Sequence, residues 1–140
     1  MTSIRAGAFS KCRSLQRVAI PNSVTNSGDG AFSLCQSLQS VNIPDSVTDI
    51  GDMAFYWCSA METVRIPKSV KTIGGGVFAE CDIELEVSSK HFTADEYCLF
   101  DAKKQTLLSC CRKQVKNYTV PEGVTSIRDR PFYKCGRLQN

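Results

Sequence analysis

Apolar residues recur along this chain with a period of 23 positions. The segment from Ala31 to Ile50 contains the whole pattern, and its apolar skeleton reappears when it is shifted by 23 residues in either direction. Such a period predicts a solenoid, in which copies of one small unit stack and bury a continuous core. The recurring positions are Phe9, Phe32, Phe55 and Phe78; Cys12, Cys35, Cys58 and Cys81; Leu15, Leu38 and Met61; Val18, Val41 and Val64; Ile20, Ile43 and Ile66; and Pro21, Pro44 and Pro67.

Each unit contains one segment typical of a strand and one typical of a helical turn. The Leu-x-x-Val-x-Ile-Pro segment, residues 38–44 in the second unit, alternates in polarity and is β-branched, which predicts a short strand. Its proline lacks an amide donor and should end the strand. Successive strands should lie parallel, about 4.8 Å apart. In the Ala-Phe-x-x-Cys segment, Phe and Cys are three residues apart, which predicts a short helical turn that faces the core.

Asp and Gly residues mark the corner between these segments. Asp29 and Asp52 precede the Ala-Phe-x-x-Cys segments and are expected to accept hydrogen bonds from the first amides of the helical turns, as caps. Gly28, Gly51 and Gly74 are expected to supply a φ angle that other residues resist.

The repeat is interrupted after Cys81. Two residues are missing before the next strand, so we expect Leu85 and Val87 to take the slots of Val64 and Ile66.

The repeat resumes at residue 118, and the intervening insert predicts a β-hairpin. Residues 97–101 and 106–110 flank a charged tip, Ala-Lys-Lys-Gln. A two-stranded ribbon alone is marginally stable, so the hairpin should lean on the edge of the solenoid. The expected contacts are Leu99, Phe100, Leu107 or Leu108.

We predict a single domain over residues 1–140. Both ends cut through a repeat, because Met1 takes the slot of Val24 and Leu138 takes that of Leu38, and solenoids usually protect their ends with capping units. We therefore expect a piece of a longer array, with self-association through uncapped faces near Ile4 and Leu138. The predicted repeats are about 1–23, 24–46, 47–69, 70–90 and 118–140, with the hairpin insert at about 91–117.

Charge and hydropathy argue against two classes of partner. The chain has 17 Lys and Arg against 14 Asp and Glu, a net charge of +3, and no basic run longer than two residues, which does not favour nucleic acid. No apolar run approaches the roughly 20 residues of a membrane-spanning helix, so membrane insertion is not expected.

The eight cysteines raise the question of a metal site or disulfides. Tetrahedral zinc needs four converging ligands, whereas the repeat cysteines form a row and His91 is the single histidine, so no metal or other cofactor is predicted. Stacked neighbours hold their Cβ atoms roughly 4.8 Å apart, against about 3.8 Å in a disulfide. The four ladder cysteines and Cys135 are therefore predicted to be thiols that fill the core.

Three cysteines lie outside this ladder. With Asp101 opposite Thr106, Cys98 faces Ser109 and lies diagonal to Cys110, so a bridge between Cys98 and Cys110 stays open as an alternative. It would indicate an oxidising compartment. The state of Cys111 is equally open.

No catalytic motif is recognisable. Cys/His catalysis would depend on His91, which has no evident partner, and the glycine run at residues 74–76 lacks the lysine of a phosphate-binding loop. The chain is predicted not to be an enzyme.

The repeats resemble a known family. Ala-Phe-x-x-Cys-x-x-Leu-x-x-Val-x-Ile-Pro-x-Ser-Val-Thr-x-Ile-Gly, with a hairpin followed by Tyr-Thr-Val-Pro-Glu-Gly-Val-Thr-Ser-Ile, is similar to the BspA-like leucine-rich repeat family over nearly the whole chain. The resemblance implies an α/β solenoid, a right-handed leucine-rich repeat coil with a parallel sheet on its concave side. Similar proteins are mostly cell-surface adhesins that bind host matrix proteins or other cells. The departures from the family pattern are Arg5, Ser27, Val77, Arg128 and Pro131.

Two surfaces are candidates for binding. On the concave sheet, outward positions form one lane of Ala19, Asn42, Arg65, Glu86 and Thr119 and another of Arg17, Ser40, Thr63, Glu84 and Asn117. They are polar and varied, but an ordinary solvated face is an equal alternative. On the side of the helical turns, Leu34, Tyr56 and Trp57 predict an exposed apolar patch. The alternative there is that Trp57 folds over the backbone of its neighbours.

The function predicted is a non-enzymatic protein-binding repeat module of a cell-surface or secreted adhesin. Its expected partners are host matrix or cell-surface proteins. The alternative is an intracellular or structural scaffold that spaces other domains. The residues show no signal peptide, so the compartment rests on the resemblance alone.

Overall fold

Short strands recur along the chain in the computed structural model, which describes residues 2–111 and 117–128. In chain order the strands are β1 (Ser3–Ile4), β2 (Arg17–Ala19), β3 (Asn26–Ser27), β4 (Ser40–Asn42), β5 (Asp49–Ile50), β6 (Thr63–Ile66), β7 (Thr72–Ile73), β8 (Glu84–Val87), β9 (Phe92–Ala94), β10 (Cys98–Asp101), β11 (Thr106–Cys110) and β12 (Ser126–Ile127).

Consecutive coils pair in parallel along two walls. One wall is the four-stranded sheet β1-β3-β5-β7, and the other consists of the pairs β2-β4 and β6-β8. In the second wall Val64 lies opposite Leu85 and Ile66 opposite Val87, which confirms the slots predicted for the shortened unit. The molecule is a parallel-strand solenoid, as the 23-residue period predicts.

The predicted short helical turns are wrong, because the part of the chain that the structure describes contains no helix. In the second unit, alternate amides of the Ala-Phe-x-x-Cys segment bond forward to the next coil: Phe32 N donates to Ala54 O at 2.8 Å and Leu34 N to Tyr56 O at 2.7 Å. An α-helix would direct these amides back to carbonyls four residues earlier in the same segment. Leu34 also has a left-handed φ of 63°, which interrupts helical geometry.

The corner aspartates do not cap their own segments. Asp29 Oδ1 accepts a hydrogen bond from Asp52 N of the next coil at 2.8 Å, and Asp52 Oδ1 accepts one from Gly75 N at 2.9 Å. Each carboxylate therefore ties one coil to the next.

The glycines at this corner are needed for space and not for φ. None of Gly28, Gly51 and Gly74 has a positive φ. A Cβ on Gly51 would lie 2.5 Å from the amide nitrogen of Asp29 in the preceding coil, closer than real Cβ atoms approach. In the second unit the left-handed conformation lies at Gly30, two residues after Gly28, with a φ of 60°.

Phenylalanine rings form the spine of the core. Phe9 stacks on Phe32 with a centroid distance of 5.2 Å, Phe32 on Phe55 at 5.4 Å, and Phe55 on Phe78 at 5.8 Å. The last three rings are at most 1% exposed, whereas Phe9 is 39% exposed. The predicted stacking of equivalent side chains is confirmed.

The ladder cysteines are thiols with a specific partner. Cys35 Sγ donates to Phe9 O, Cys58 Sγ to Phe32 O and Cys81 Sγ to Phe55 O, each at 3.1 Å. Burial raises the pKa of the Cys58 thiol far above its ordinary value, which keeps it protonated as a donor. Cysteine at this position fills the core and also satisfies a carbonyl of the preceding coil. Cys135 lies outside the described residues.

The predicted hairpin forms, but it does not lean on an edge. It is the β10-β11 part of the four-stranded sheet β12-β11-β10-β9, and β11 runs parallel to β12 of the resumed repeat. Leu99 and Leu108 pack in the main core, while Phe100 and Leu107 form a second cluster that contacts Val124. The insert is therefore sandwiched between the fourth coil and the resumed repeat, and both of its faces are buried.

A β-bulge changes the register of this hairpin. Phe100 lies opposite Leu107, but Leu99 lies opposite Ser109, so Leu108 is an extra residue on β11. The regular register expected from the sequence placed Cys98 opposite Ser109. The bulge shifts the pairing by one residue and places Cys98 directly opposite Cys110.

Candidate protein-binding surface

Eight of the ten residues in the two polar lanes predicted from the sequence lie on the strands of one wall of the solenoid, and all ten are exposed. Strands β2 and β4 hold Arg17 opposite Ser40 and Ala19 opposite Asn42. Strands β6 and β8 hold their counterparts in the same alternation. We call the ten residues the strand face: Arg17, Ala19, Ser40, Asn42, Thr63, Arg65, Glu84, Glu86, Asn117 and Thr119, all of them exposed.

The strand face differs from the opposite wall in how its polar groups are used. On the opposite wall, Asp49 accepts hydrogen bonds from the hydroxyls of Thr48 and Thr72, and these bonds lower the pKa of its carboxyl. None of the ten strand-face side chains hydrogen bonds to, or forms an ion pair with, another residue within 2–111 and 117–128. The polar groups of the opposite wall hold the coils together, whereas those of the strand face are available to a partner.

Charge is unevenly distributed over the strand face. Arg17 lies on β2 and Arg65 on β6, while Glu84 and Glu86 lie side by side on β8. Arg65 and Glu86 are direct register partners. A ligand that crosses the coils would therefore meet arginines first and then a pair of carboxylates, and this asymmetry would favour one orientation of a partner.

A groove lies at the end of these strands. It has a volume of about 250 Å³ and is open to solvent beside Asn42 and Arg65. The strand-terminating prolines Pro44 and Pro67 form part of its wall. The sequence pattern predicted the prolines as strand ends but not the groove between them, since its depth depends on how successive corners stack. Its size suits one or two side chains of a bound protein.

The predicted apolar patch is smaller than expected. Leu34 and Trp57 are half-buried, and Tyr56 is only 9% exposed. The Tyr56 and Trp57 rings meet edge to face with a centroid distance of 6.2 Å. Trp57 N donates to Ala79 O of the next coil, and a φ of 54° turns the residue along the surface. A shallow groove of about 360 Å³ beside Tyr56 is bordered by Met53, Asp29 and Asp52.

This geometry can be compared with known proteins. A family model described as a BspA type leucine rich repeat region matches residues 1–107 and 105–140, with six copies of its repeat. The chain belongs to the BspA-type leucine-rich repeat family. This family is a repeat scaffold that typically binds proteins, and the match indicates no catalytic family.

Solved structures similar to this chain include leucine-rich repeat proteins of bacteria. A leucine rich cell surface protein of Faecalibacterium prausnitzii is 33% identical, with a TM-score of 0.80 over 96% of this chain and 37% of that one. A leucine-rich repeat protein of Eubacterium ventriosum is 26% identical, with a TM-score of 0.67 over 95% and 42%.

The pneumococcal vaccine antigen PcpA shares the fold, at 24% identity and a TM-score of 0.77 over 99% of this chain and 36% of that one. The chain thus spans less than half the length of these three structures. No curated protein sequence is significantly similar to it.

Other kinds of site are not found in the described part of this BspA-type chain. Over residues 2–111 and 117–128, His, Cys, Asp and Glu side chains form no group of three that could hold a metal ion. The amide of His91 donates to Ser89 Oγ at 3.2 Å, a contact that shapes the start of the insert. The same residues include no helix that could cross a membrane.

Proposed function

We propose that this chain is a non-enzymatic protein-binding module of a cell-surface or secreted adhesin, whose partners are host matrix or cell-surface proteins. BspA-type repeats typically act as binding scaffolds, and the 33% identical protein from F. prausnitzii is described as a cell surface protein. The whole protein to which such a module belongs would determine its attachment to the cell.

We further propose that the strand face is the binding site, on the concave side of a right-handed coil. The observation that carries this proposal is the set of ten exposed side chains that have no hydrogen-bond partner among the described residues, eight of which are aligned across coils on β2, β4, β6 and β8. Burying these groups against a partner costs little if the partner supplies the missing bonds, because no internal bond has to break first. The adjacent groove at Asn42 and Arg65 offers room for an anchoring side chain.

A charge reversal with a matched control tests the site. Arg65→Glu changes the charge at the centre of the strand face, while Lys103→Glu makes the same change at the exposed tip of the hairpin. Binding would be measured by biolayer interferometry on immobilised collagen, laminin and fibronectin. For any of these that binds the wild type, Arg65→Glu should weaken affinity about tenfold and Lys103→Glu should leave it unchanged.

Two outcomes would count against the proposal. Equal affinity of the two variants would remove the strand face as the site. A wild-type chain that binds neither these proteins nor fixed host cells would favour the alternative, a scaffold that spaces other domains.

We also propose self-association through the first coil, but at a different residue from the one predicted. Ile4 is buried, with 7% exposure, so it does not present an open core face, and Leu138 lies outside the described residues. Phe9 is 39% exposed, and within residues 2–111 and 117–128 the aromatic ring that stacks on it is that of Phe32. A second copy could cover this ring, and Phe9→Ser should then lower the weight-average mass in sedimentation equilibrium. A mass independent of concentration in the wild type would refute this.

A further inference from the structure

Cys98 and Cys110 occupy a position of the hairpin that suits a disulfide. They are direct partners across the antiparallel strands β10 and β11. The neighbouring amide of Cys111 donates to Tyr97 O at 2.7 Å, which makes Cys98 and Cys110 a non-hydrogen-bonded pair. Opposite Cα atoms in such a pair are about 4.5 Å apart, within the roughly 4.4–6.8 Å that disulfides span.

The two cysteines are buried together. Cys98 and Cys110 are at most 2% exposed, and their pairing across the strands places the two side chains next to each other. They lie in the second cluster with Phe100 and Leu107. The ladder thiols behave differently, because each of those at Cys35, Cys58 and Cys81 donates to a carbonyl of the preceding coil.

We propose that Cys98 and Cys110 form a disulfide when the chain folds in an oxidising environment. The oxidant is a low-molecular-weight disulfide such as oxidised glutathione. The Cys98 thiolate attacks one sulfur of glutathione disulfide and releases one glutathione thiolate. The Cys110 thiolate then attacks the Cys98 sulfur of the mixed disulfide and displaces the second glutathione, so two protein thiols lose two protons and two electrons, and one disulfide becomes two thiols.

The bond forms during folding and not afterwards. The hydrogen bond with Cys110, followed by burial, raises the pKa of the Cys98 thiol in the folded protein. Because the thiolate is the reacting species, a folded reduced chain should exchange slowly. In the unfolded chain both thiols are accessible, and the hairpin can close before the resumed repeat packs over the second cluster.

The disulfide cross-links the two strands of an insert to which both neighbouring coils are hydrogen-bonded. Leu108 O accepts a hydrogen bond from Gly76 N of the fourth coil, and Leu107 O accepts one from Arg128 N of the resumed repeat. A closed loop of this size should lower the unfolding equilibrium constant by roughly a hundredfold relative to the reduced chain.

The test begins with the reduced, denatured chain refolded in a glutathione redox buffer. Free thiols are then alkylated, and trypsin cleaves after Lys103 and Lys104 at the hairpin tip. The peptides 91–103 and 105–112 should stay joined until a reductant separates them, with Cys111 alkylated in the joined species. Cys110→Ser should abolish the cross-link, and Cys111→Ser should keep it.

Three results would overturn the proposal. They are full alkylation of Cys98 after refolding, a cross-link that survives Cys110→Ser, and an unfolding midpoint in redox buffer that is the same for the wild type and Cys110→Ser. The mass spectrometry does not depend on the stability of either variant, because the wild type alone shows whether Cys98 is linked.

Discussion

Gly30 and Gly51, which lie at the corners of consecutive coils, should respond very differently to substitution by alanine. At Gly51 a Cβ would lie 2.5 Å from Asp29 N and 2.7 Å from the carbonyl carbon of Gly28, both backbone atoms of the preceding coil. At Gly30 the nearest atom to a Cβ is Ser33 Oγ at 3.4 Å, and the difficulty is instead a φ of 60°. Gly51→Ala is therefore a steric problem between coils, and Gly30→Ala a conformational problem within one coil.

The structure sets the size of each effect. Ordinary contact would require the coils to separate by about 0.9 Å at Gly51. That movement would stretch the 2.8 Å bond from Gly51 N to Ser27 O beyond hydrogen-bond range. Overpacking and the lost bond together should cost about 3–5 kcal/mol. A left-handed alanine at position 30 should cost about 1 kcal/mol.

Urea denaturation followed by the fluorescence of the single tryptophan, Trp57, would measure both values by linear extrapolation. The expected order is wild type, Gly30→Ala, then Gly51→Ala with a much lower midpoint. If Gly51→Ala does not fold, its unfolded spectrum in water also meets the expectation. A Gly51→Ala midpoint equal to or above that of Gly30→Ala would refute the close approach between coils.

Three further substitutions probe the core, the opposite wall and the insert. Phe55→Ala removes a ring that is 1% exposed and should lower the free energy of unfolding, measured in urea, by about 3–5 kcal/mol. Phe9→Ala removes a ring that is 39% exposed and should lower it by about half as much. Equal losses for the two variants would contradict the stacked core. The folded-state pKa of Asp49 is lowered by two threonine hydroxyls, so this carboxylate stabilises the fold above its unfolded pKa, and the effect is lost as the pH falls through the folded pKa. Asp49→Asn should therefore flatten the acid side of a plot of midpoint against pH, and an unchanged plot would argue against these bonds. Tyr118→Phe removes the 2.6 Å hydrogen bond to Asp95 Oδ2. It should lower the free energy of unfolding by about 1–2 kcal/mol and speed proteolysis of the insert. A variant that resists the protease as well as the wild type does would show that the bond contributes little.

Local patterns predicted the walls of the solenoid well and its corners poorly. Leu85 and Val87 could be assigned to their slots because alternation along a strand decides which side chains face the core. The Phe-x-x-Cys spacing by itself predicts a helical turn, since three residues span nearly one turn of a helix. The same spacing also fits a chain of tight turns with left-handed residues, and Trp57, with a φ of 54°, carries no sequence signal for that conformation.

Some features of the candidate site follow from the sequence pattern, and others depend on the tertiary structure. The outward direction of Arg65 and Glu86 follows from strand alternation, and the structure places them opposite each other as expected. The burial of the Tyr56 side chain could not be predicted from the sequence, because it depends on packing against neighbouring coils. The groove at Pro44 likewise exists only once the corners are stacked. The division of the chain into five repeats and an insert stays a prediction.

The sequence by itself determined that coils stack in register, because a strict 23-residue period leaves only one way to align every apolar side chain with its equivalent. Tertiary structure alone decided where the corner amides bond. A backbone N–H can bond equally well within a helix or to the next coil, and the spacing between the stacked coils selects the bond to the next coil. The same holds for the hairpin, where the register of Cys98 depends on a bulge at Leu108 that adapts the insert to two neighbouring coils at once.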